Sequence, residues 1–524
     1  MKTYTIFTLF FLLATMSCQD QLDVPNPNSP TPESARSEAG IVALAQGGLY
    51  VANVRPLQGY VGNLHERMGD VVGSTFIPVE VYTPDRITLD DNSVLFSKNP
   101  NGQKQYLRDT NIPSVGNVFY NEWTLMYQLN GSMNAVLENI DPIAMTVGKK
   151  NTIKAWAFFW KGFAYSRIGS MYYAGIINDQ FNTINNKYVS KEDILAEAEK
   201  NFYRADTTLS GIAGIIAYTQ DYAQVIAALI PSICQAGKGF PLSTDEWKRN
   251  INTMRARNIL VNTPAVQMTS TQWDQILSYA LNGVQATDRT FTLRTNAVSP
   301  VVGTNGYVAA QLIGPSSNGG GANKVSERLI QEFKPGDNRL ANNFDVIPTW
   351  IGPGDRGTSF NTRYVLVNKG KGMPGVVVMV NRDEGAHEMY IAGYYEENVL
   401  MLAEANIYKG SIDAGLAKID ELRTYQGAGL AAVSGTGLTL DQAKEELRRE
   451  RRVALAFRGF SFYDARRWGV LQNGRTGCVV VGFDGVVSTN ATIAYGFLDY
   501  WDVPVAEFFY NKPSADSVPI VNPN

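Results

Sequence analysis

The sequence predicts a mostly helical protein, with a tetratricopeptide-like scaffold of helical hairpins, an irregular loop-rich lobe and a few short strands. Three observations predict it. Apolar residues recur at i, i+3 and i+4 over long stretches near both ends of the chain. Small residues alternate there with large aromatics, a mixture that lets helices pack closely in hairpins. Residues 290–387 are instead rich in Gly, Pro, Asn and Ser, with only short β-prone pieces, which read as loops.

The elements follow in chain order. Residues 6–16 (IFTLFFLLATM) form an apolar run behind one charge, Lys2. The run is too short to span a bilayer and fits the h-region of a secretory signal. Ser17 precedes Cys18, so residues 1–17 read as a lipoprotein signal with lipid attached at Cys18, or as a plain secretory signal. Thr15 stands where the lipoprotein pattern usually has Leu. Residues 18–34, with VPNPNSPTPE, read as anchor and flexible tether. A single domain is expected over 35–524, with its scaffold at about 35–210 and 390–470 and a variable ligand lobe at about 211–390.

Residues 36–53 place Ala39, Val42, Ala43, Gln46, Leu49 and Tyr50 on one helical face. Residues 118–140 continue the helical pattern. Residues 151–176 are the clearest helix, with Ile153, Trp156, Ala157, Trp160, Ala164, Ile168 and Met171 in register and Gly162 among them. Residues 191–209 repeat the pattern. Residues 212–249 are weakly helical, and 273–286 form a helix. In the lobe, 364–368 and 376–380 are β-prone, and the glycines at 319–321 belong to a loop. Residues 394–409 and 412–425 make a helical pair around Gly410. A helix at 440–457 and a short aromatic-rich one at 460–468 follow. Trp156, Trp160 and Trp468 lie on helical faces and are assigned to the core.

Composition narrows the function. The 524 residues carry 46 basic and 49 acidic side chains, net −3, so no general basic field suits nucleic acid. The seven arginines between 448 and 467 are interleaved with Glu445, Glu446 and Glu450 and read as local i,i+3 and i,i+4 pairs. The three cysteines are Cys18, Cys234 and Cys478. The last two could pair in an oxidising compartment, although two buried free thiols are the preferred reading. There is no CxxC, HExxH, GxSxG or Walker A pattern, and no catalytic residue, metal site or cofactor is assigned. His65 and His387 read as structural. Gly427–Ala432 fits GxGxxA but follows a helix, so the dinucleotide-binding context fails. The pairs Asp90–Asp91 and Glu396–Glu397 are too ordinary to indicate glycoside hydrolysis.

Residues 445–469 read EELRRERRVALAFRGFSFYDARRWG. This segment resembles the signature of SusD/RagB-family outer-membrane lipoproteins, in which an Arg/Glu-rich helix runs into an ELAFEG-like turn, an aromatic-Asp segment and RRWG. Val453-Ala454 and Arg458 depart from it, since acidic residues are usual there. Residues 397–410 resemble the family's preceding helix. Residues 151–173 resemble its early helix, with Trp160-Lys161-Gly162 replacing the usual Leu-Arg-Ala. Residues 498–508 are similar to its late PIP-x-x-E segment. The QDQLD after Cys18 resembles the acidic signal that sends Bacteroidetes lipoproteins to the cell surface.

The resemblance implies a cell-surface, outer-membrane lipoprotein that makes and breaks no bonds. It would bind nutrient oligomers, oligosaccharides or polysaccharide first among them, and deliver them to a SusC-like TonB-dependent transporter. Two alternatives stay open: a peptide-binding RagB-like uptake protein, and a non-transport scaffold built as an extended helical solenoid. The family's ligand groups tend to come from the loop after the first helix and from the variable middle. Here these imply Arg67, Asp70, Phe76 and Tyr82, then Tyr307 and Trp350. Trp350 lies in PTWIGPG, a stiff turn able to present an indole.

Overall fold

The structure is a computed structural model. It describes residues 36–51, 62–74, 86–96, 118–294, 323–351, 362–366, 388–481 and 486–523. The expected signal, Cys18 and the tether lie outside these residues.

The helices begin where the sequence supplies caps. Helix α1 (Glu38–Leu49) is capped by Ser37, whose side chain accepts from Gly40 N–H. Helix α2 (Gly62–Met68) leads into β1 (Val72–Ser74). Strands β2 (Arg86–Thr88) and β3 (Val94–Phe96) follow. The long pair α3 (Val118–Asn139) and α4 (Val147–Met171) comes next. After α4 the chain turns into β4 (Ala174–Ile176), where the periodicity had suggested more helix, then into β5 (Tyr188–Ser190) and α5 (Lys191–Ser210).

The stretch expected to be weakly helical holds α6 (Ile216–Leu229) and the start of α7 (Thr244–Asn262). Helix α8 (Ser270–Leu281) follows. The helical scaffold therefore continues well past residue 210. A capping box at Ser243/Glu246 starts α7 and one at Thr269/Gln272 starts α8. Each satisfies two backbone groups that a helix end would otherwise leave open.

Beyond β6 (Thr292–Arg294) come β7 (Asn323–Val325), α9 (Glu327–Ile330), α10 (Asn338–Asn343), β8 (Phe344–Ile351), β9 (Thr362–Leu366) and β10 (Glu388–Tyr390). The C-terminal region holds α11 (Tyr395–Tyr408), α12 (Ile412–Tyr425), α13 (Leu440–Ala454), α14 (Ser461–Arg467) and α15 (Val470–Asn473). It closes with β11 (Arg475–Val481), β12 (Val487–Ala494) and α16 (Val505–Tyr510). Short antiparallel strands tie distant segments together: β11-β12-β2-β3 form a four-stranded sheet, while β6 pairs β10, β1 pairs β7 and β8 pairs β9. The protein is thus mostly helical with few short strands, as expected.

Neighbouring helices pack in sequence, α3 on α4, α4 on α5, α7 on α8 and α11 on α12, but α8 also meets α11 and α5 meets α7. The largest hydrophobic cluster runs from Ile41 to Val503, with smaller ones around Leu329 and around Trp273. An extended solenoid, in which units touch only their neighbours, does not describe this packing. At the centre Trp156, Phe159, Trp160, Trp247 and Phe291 stack edge-on and tilted, with ring centroids 4.9–6.1 Å apart. Trp156 and Trp160 are core as assigned. Trp468 is only half-buried, with the Arg467 guanidinium 4.5 Å over its ring. Cys234 and Cys478 are buried and form no disulfide with each other.

The arginine-rich segment differs from its expectation. Arg448 with Glu445 and Arg467 with Asp464 make local i,i+3 pairs, both at 2.7 Å. The remaining partners come from other elements and are buried. Glu450 accepts from Arg339 of α10 and Arg423 of α12. Asp464 takes Arg451 at 2.9 Å and Arg467 at 2.7 Å, and Arg467 also reaches Glu404 of α11 at 2.8 Å. The amphipathic helix lays its charged side against other elements instead of water.

Candidate functional site

Arg67 and Asp70 close α2 and are both buried. Asp70 has a left-handed backbone (φ 58°). Its carboxylate accepts from Arg328 of α9, at 2.6 Å from Nη2 and 2.9 Å from Nε. Burial raises the Asp70 pKa, but Arg328, helped by Arg452 and Arg475, outweighs burial and holds it below the ordinary aspartate value. Arg452 donates to the carbonyls of Gly69 and Asp70 at 2.9 and 3.0 Å. This turn is part of the interior. Trp350 lies on β8, whereas Phe76, Tyr82 and Tyr307 lie outside the described residues. These six residues are not brought together among the described ones.

A different set of residues does converge. A partly enclosed cavity of about 60 Å³ lies between α4, α7, the segment after β10 and the turn into α14. Helix α4 contributes Arg167, α7 contributes Arg257, the post-β10 segment contributes Tyr390 and Tyr394, and the α14 region contributes Arg458 and Tyr463. Strand β6 runs toward residues 295–322 and β10 follows residues 367–387, so the cavity lies at the root of the expected ligand lobe.

Each arginine is held from behind. Arg257 grips Glu397 through two nitrogens, Nε at 2.8 Å, and also donates to the Ala392 carbonyl at 3.0 Å. Arg167 donates to Glu122, whose other oxygen is 3.1 Å from His65 Nε2. Burial pushes His65 below its usual value in spite of Glu122, so a neutral ring donates through Nε2–H. Arg458 lies 4.5 Å over the Tyr390 ring and 5.4 Å from that of Tyr394, with Glu396 3.9 Å away. Tyr390 and Tyr394 stack at 5.0 Å. The pair Glu396–Glu397 thus serves as backing for arginines.

The hydroxyls of Tyr394 and Tyr463 are buried and have no hydrogen-bond partner among the described residues. Burial raises both phenols, Tyr463 to about 12. Arg257 and the charges around it act on both. Both tyrosines line the cavity, whereas Glu122, Glu396 and Glu397 do not. Among the described residues the wall offers guanidinium and hydroxyl donors with aromatic faces, groups that hold a polar ligand in place.

None of this cavity was anticipated as a site. Its residues come from four segments far apart in the chain, and Arg458 was the one position already noticed, as a departure from a pattern.

The SusD family model matches residues 356–516, which include the signature turn and two walls of the cavity. This match agrees with the SusD/RagB signature read at residues 445–469. No curated protein matches it. Its fold resembles a SusD-like protein from Bacteroides fragilis NCTC 9343 at TM-score 0.59 and 13% identity, covering 92% of this chain and 97% of that one. It also resembles a SusD-like carbohydrate binding protein from Bacteroides vulgatus ATCC 8482, at TM-score 0.57 and 16% identity over 92% of this chain and 98% of that one. NanU of B. fragilis matches at TM-score 0.57 and 13% identity, over 95% of this chain and all of that one. At such identities these likenesses speak for the fold. Among the described residues no helix is long and apolar enough to cross a membrane.

Proposed function

We propose that this protein is a SusD/RagB-family member, a lipid-anchored cell-surface binder of nutrient oligosaccharides. It hands them to a SusC-like TonB-dependent transporter and carries out no chemistry on them. The match of the family model to residues 356–516 carries this reading. The likeness to a solved structure described as a SusD-like carbohydrate binding protein supports a glycan as ligand. The donor-rich cavity at the root of the lobe supports a ligand site there. Phe76, Tyr82, Tyr307 and Trp350 supply the aromatic faces on which sugar rings stack. Asp70 ties the α2 turn to Arg328 of α9.

The test is affinity electrophoresis of the full-length protein against a panel of polysaccharides, with mass spectrometry of co-purified peptides. At least one glycan is expected to retard the protein, and Trp350→Ala to abolish the shift. Co-purifying peptides with no glycan shift would replace the sugar reading with peptide uptake.

A further inference from the structure

We infer that the cavity between Arg167, Arg257 and Arg458 receives a carboxylate, and that the glycan bound is an acidic one bearing uronic acid residues. This rests on the glycan-binding reading above and adds a chemical class to it.

The first argument is the sign of the wall. Arg167, Arg257, Arg458, Tyr394 and Tyr463 line the cavity, and no acidic residue does among the described ones. The carboxylates that balance the arginines are buried behind the wall: Glu122 is 0% exposed, and Glu396 and Glu397 are 1% exposed. Glu122 and Glu397 hydrogen-bond Arg167 and Arg257 without joining the cavity lining. A planar guanidinium held in this way matches a planar carboxylate.

The second argument is the pair of buried hydroxyls. Tyr394 and Tyr463 are 3% and 4% exposed, and neither hydroxyl has a partner among the described residues. A buried hydroxyl left without a partner is costly, and the neighbouring arginines offer it no acceptor. An occupant that accepts hydrogen bonds resolves both at once. A carboxylate has about four acceptor sites. A sugar hydroxyl has fewer and brings a donor of its own into a wall already full of donors.

The third argument is size. A cavity of about 60 Å³ is far below the ~300–1,000 Å³ of pockets that enclose whole ligands. A single water needs about 10–15 Å³ on this measure, so a small projecting group fills the space. The sugar ring stays outside, at the mouth beside half-buried Tyr390.

The experiment uses the full-length protein and isothermal titration with polygalacturonate, alginate and glucuronoxylan, each beside its carboxyl-reduced counterpart. Tripeptides with free and with amidated C-termini form a separate arm. The expected result is binding of at least one acidic glycan, weakened tenfold or more by carboxyl reduction. Arg458→Gln is expected to weaken it at least tenfold and Tyr463→Phe about threefold. Because the Tyr463 hydroxyl has no partner among the described residues, Tyr463→Phe is expected to melt no lower than the wild type, so a loss of affinity in it is not a folding defect. Equal binding of the reduced glycan, or unchanged affinity in both variants, overturns the carboxylate inference and leaves glycan uptake standing. Binding confined to tripeptides with free C-termini overturns the acidic glycan and the sugar reading together. No binding in any arm overturns the inference.

Discussion

The carboxylate of Glu66 organises the signature turn from outside it. One oxygen accepts from the N–H of Phe457 at 3.0 Å, and the other from Gly459 at 2.8 Å and Ser461 at 3.4 Å. Phe457 and Gly459 both have positive φ, 63° and 80°, a conformation that the acceptor helps to hold. Burial pushes the Glu66 carboxyl up to about 7, even against these donors. A raised folded value means that the group's stabilising contribution is full below the unfolded value near 4.5 and is lost as pH rises through about 7. Glu66→Gln turns one acceptor into a donor facing an N–H and is expected to cost about 1–3 kcal/mol. Because the wild type alone loses stability on ionising, the deficit should be larger at pH 5 than at pH 8, by about 2–3 kcal/mol. Urea unfolding at the two pH values decides this; a deficit that stays constant would mean that Glu66 does not titrate in this range. No sequence pattern signals the role, because Glu66 and the turn it holds are nearly four hundred residues apart.

At the level of elements, α4 was legible from the i, i+3, i+4 recurrence of Ile153, Trp156, Trp160 and Ala164, although the helix is buried nearly all round. Its small residues are there for close approach: a methyl added at Gly162 would come 2.7 Å from Cδ1 of Phe202 on α5. Gly162→Ala is therefore expected to destabilise by about 1–3 kcal/mol through overpacking, despite alanine's better helix propensity. Gly131 of α3 has nothing within 4 Å of such a methyl, so Gly131→Ala should stabilise by about 0.5–1 kcal/mol. Thermal melts of the two variants test the pair, and the same sign in both would refute the packing argument. Helix α7 was under-read for the opposite reason. Its buried face includes Asn250, Thr253 and Asn258, which apolar periodicity does not count. Asn250 bonds Thr290 Oγ1 at 2.9 Å and the Gly393 carbonyl at 2.8 Å, and Thr253 bonds Asn398 at 3.0 Å. Those partners lie 40 to 145 residues away. The legible clue was the S-x-x-E at its start. The cavity was illegible on the same grounds, since four segments each contribute one or two walls and none announces the others.

Across the whole molecule, hydrophobic volume fills the core, but buried charge decides which elements meet. Glu332, just after α9, is the clearest case. It accepts from Arg448 of α13 at 3.0 and 2.8 Å and from Arg475 of β11, while Arg452 Nε lies 3.2 Å away. Arg452 in turn holds the carbonyls of Gly69 and Asp70, so one carboxylate links α9, α13, β11 and the turn after α2. A well-packed apolar replacement of such a network can be as stable, but removing one member is costly because it strands the rest. Although burial opposes ionisation, Arg475, Arg448 and Arg452 hold the Glu332 carboxyl down at about 2. A depressed value means that its contribution is full above the unfolded value near 4.5 and is lost as pH falls toward 2, about 3 kcal/mol in all. Glu332→Gln is thus expected to cost about 3–5 kcal/mol at pH 7. The gap to wild type should narrow as both are acidified toward pH 3, because the wild type is then losing the charge that the variant already lacks. Urea midpoints at pH 7, 5 and 3 measure that gap. A gap that holds its size down to pH 3 would place the acid sensitivity of the fold in groups other than Glu332.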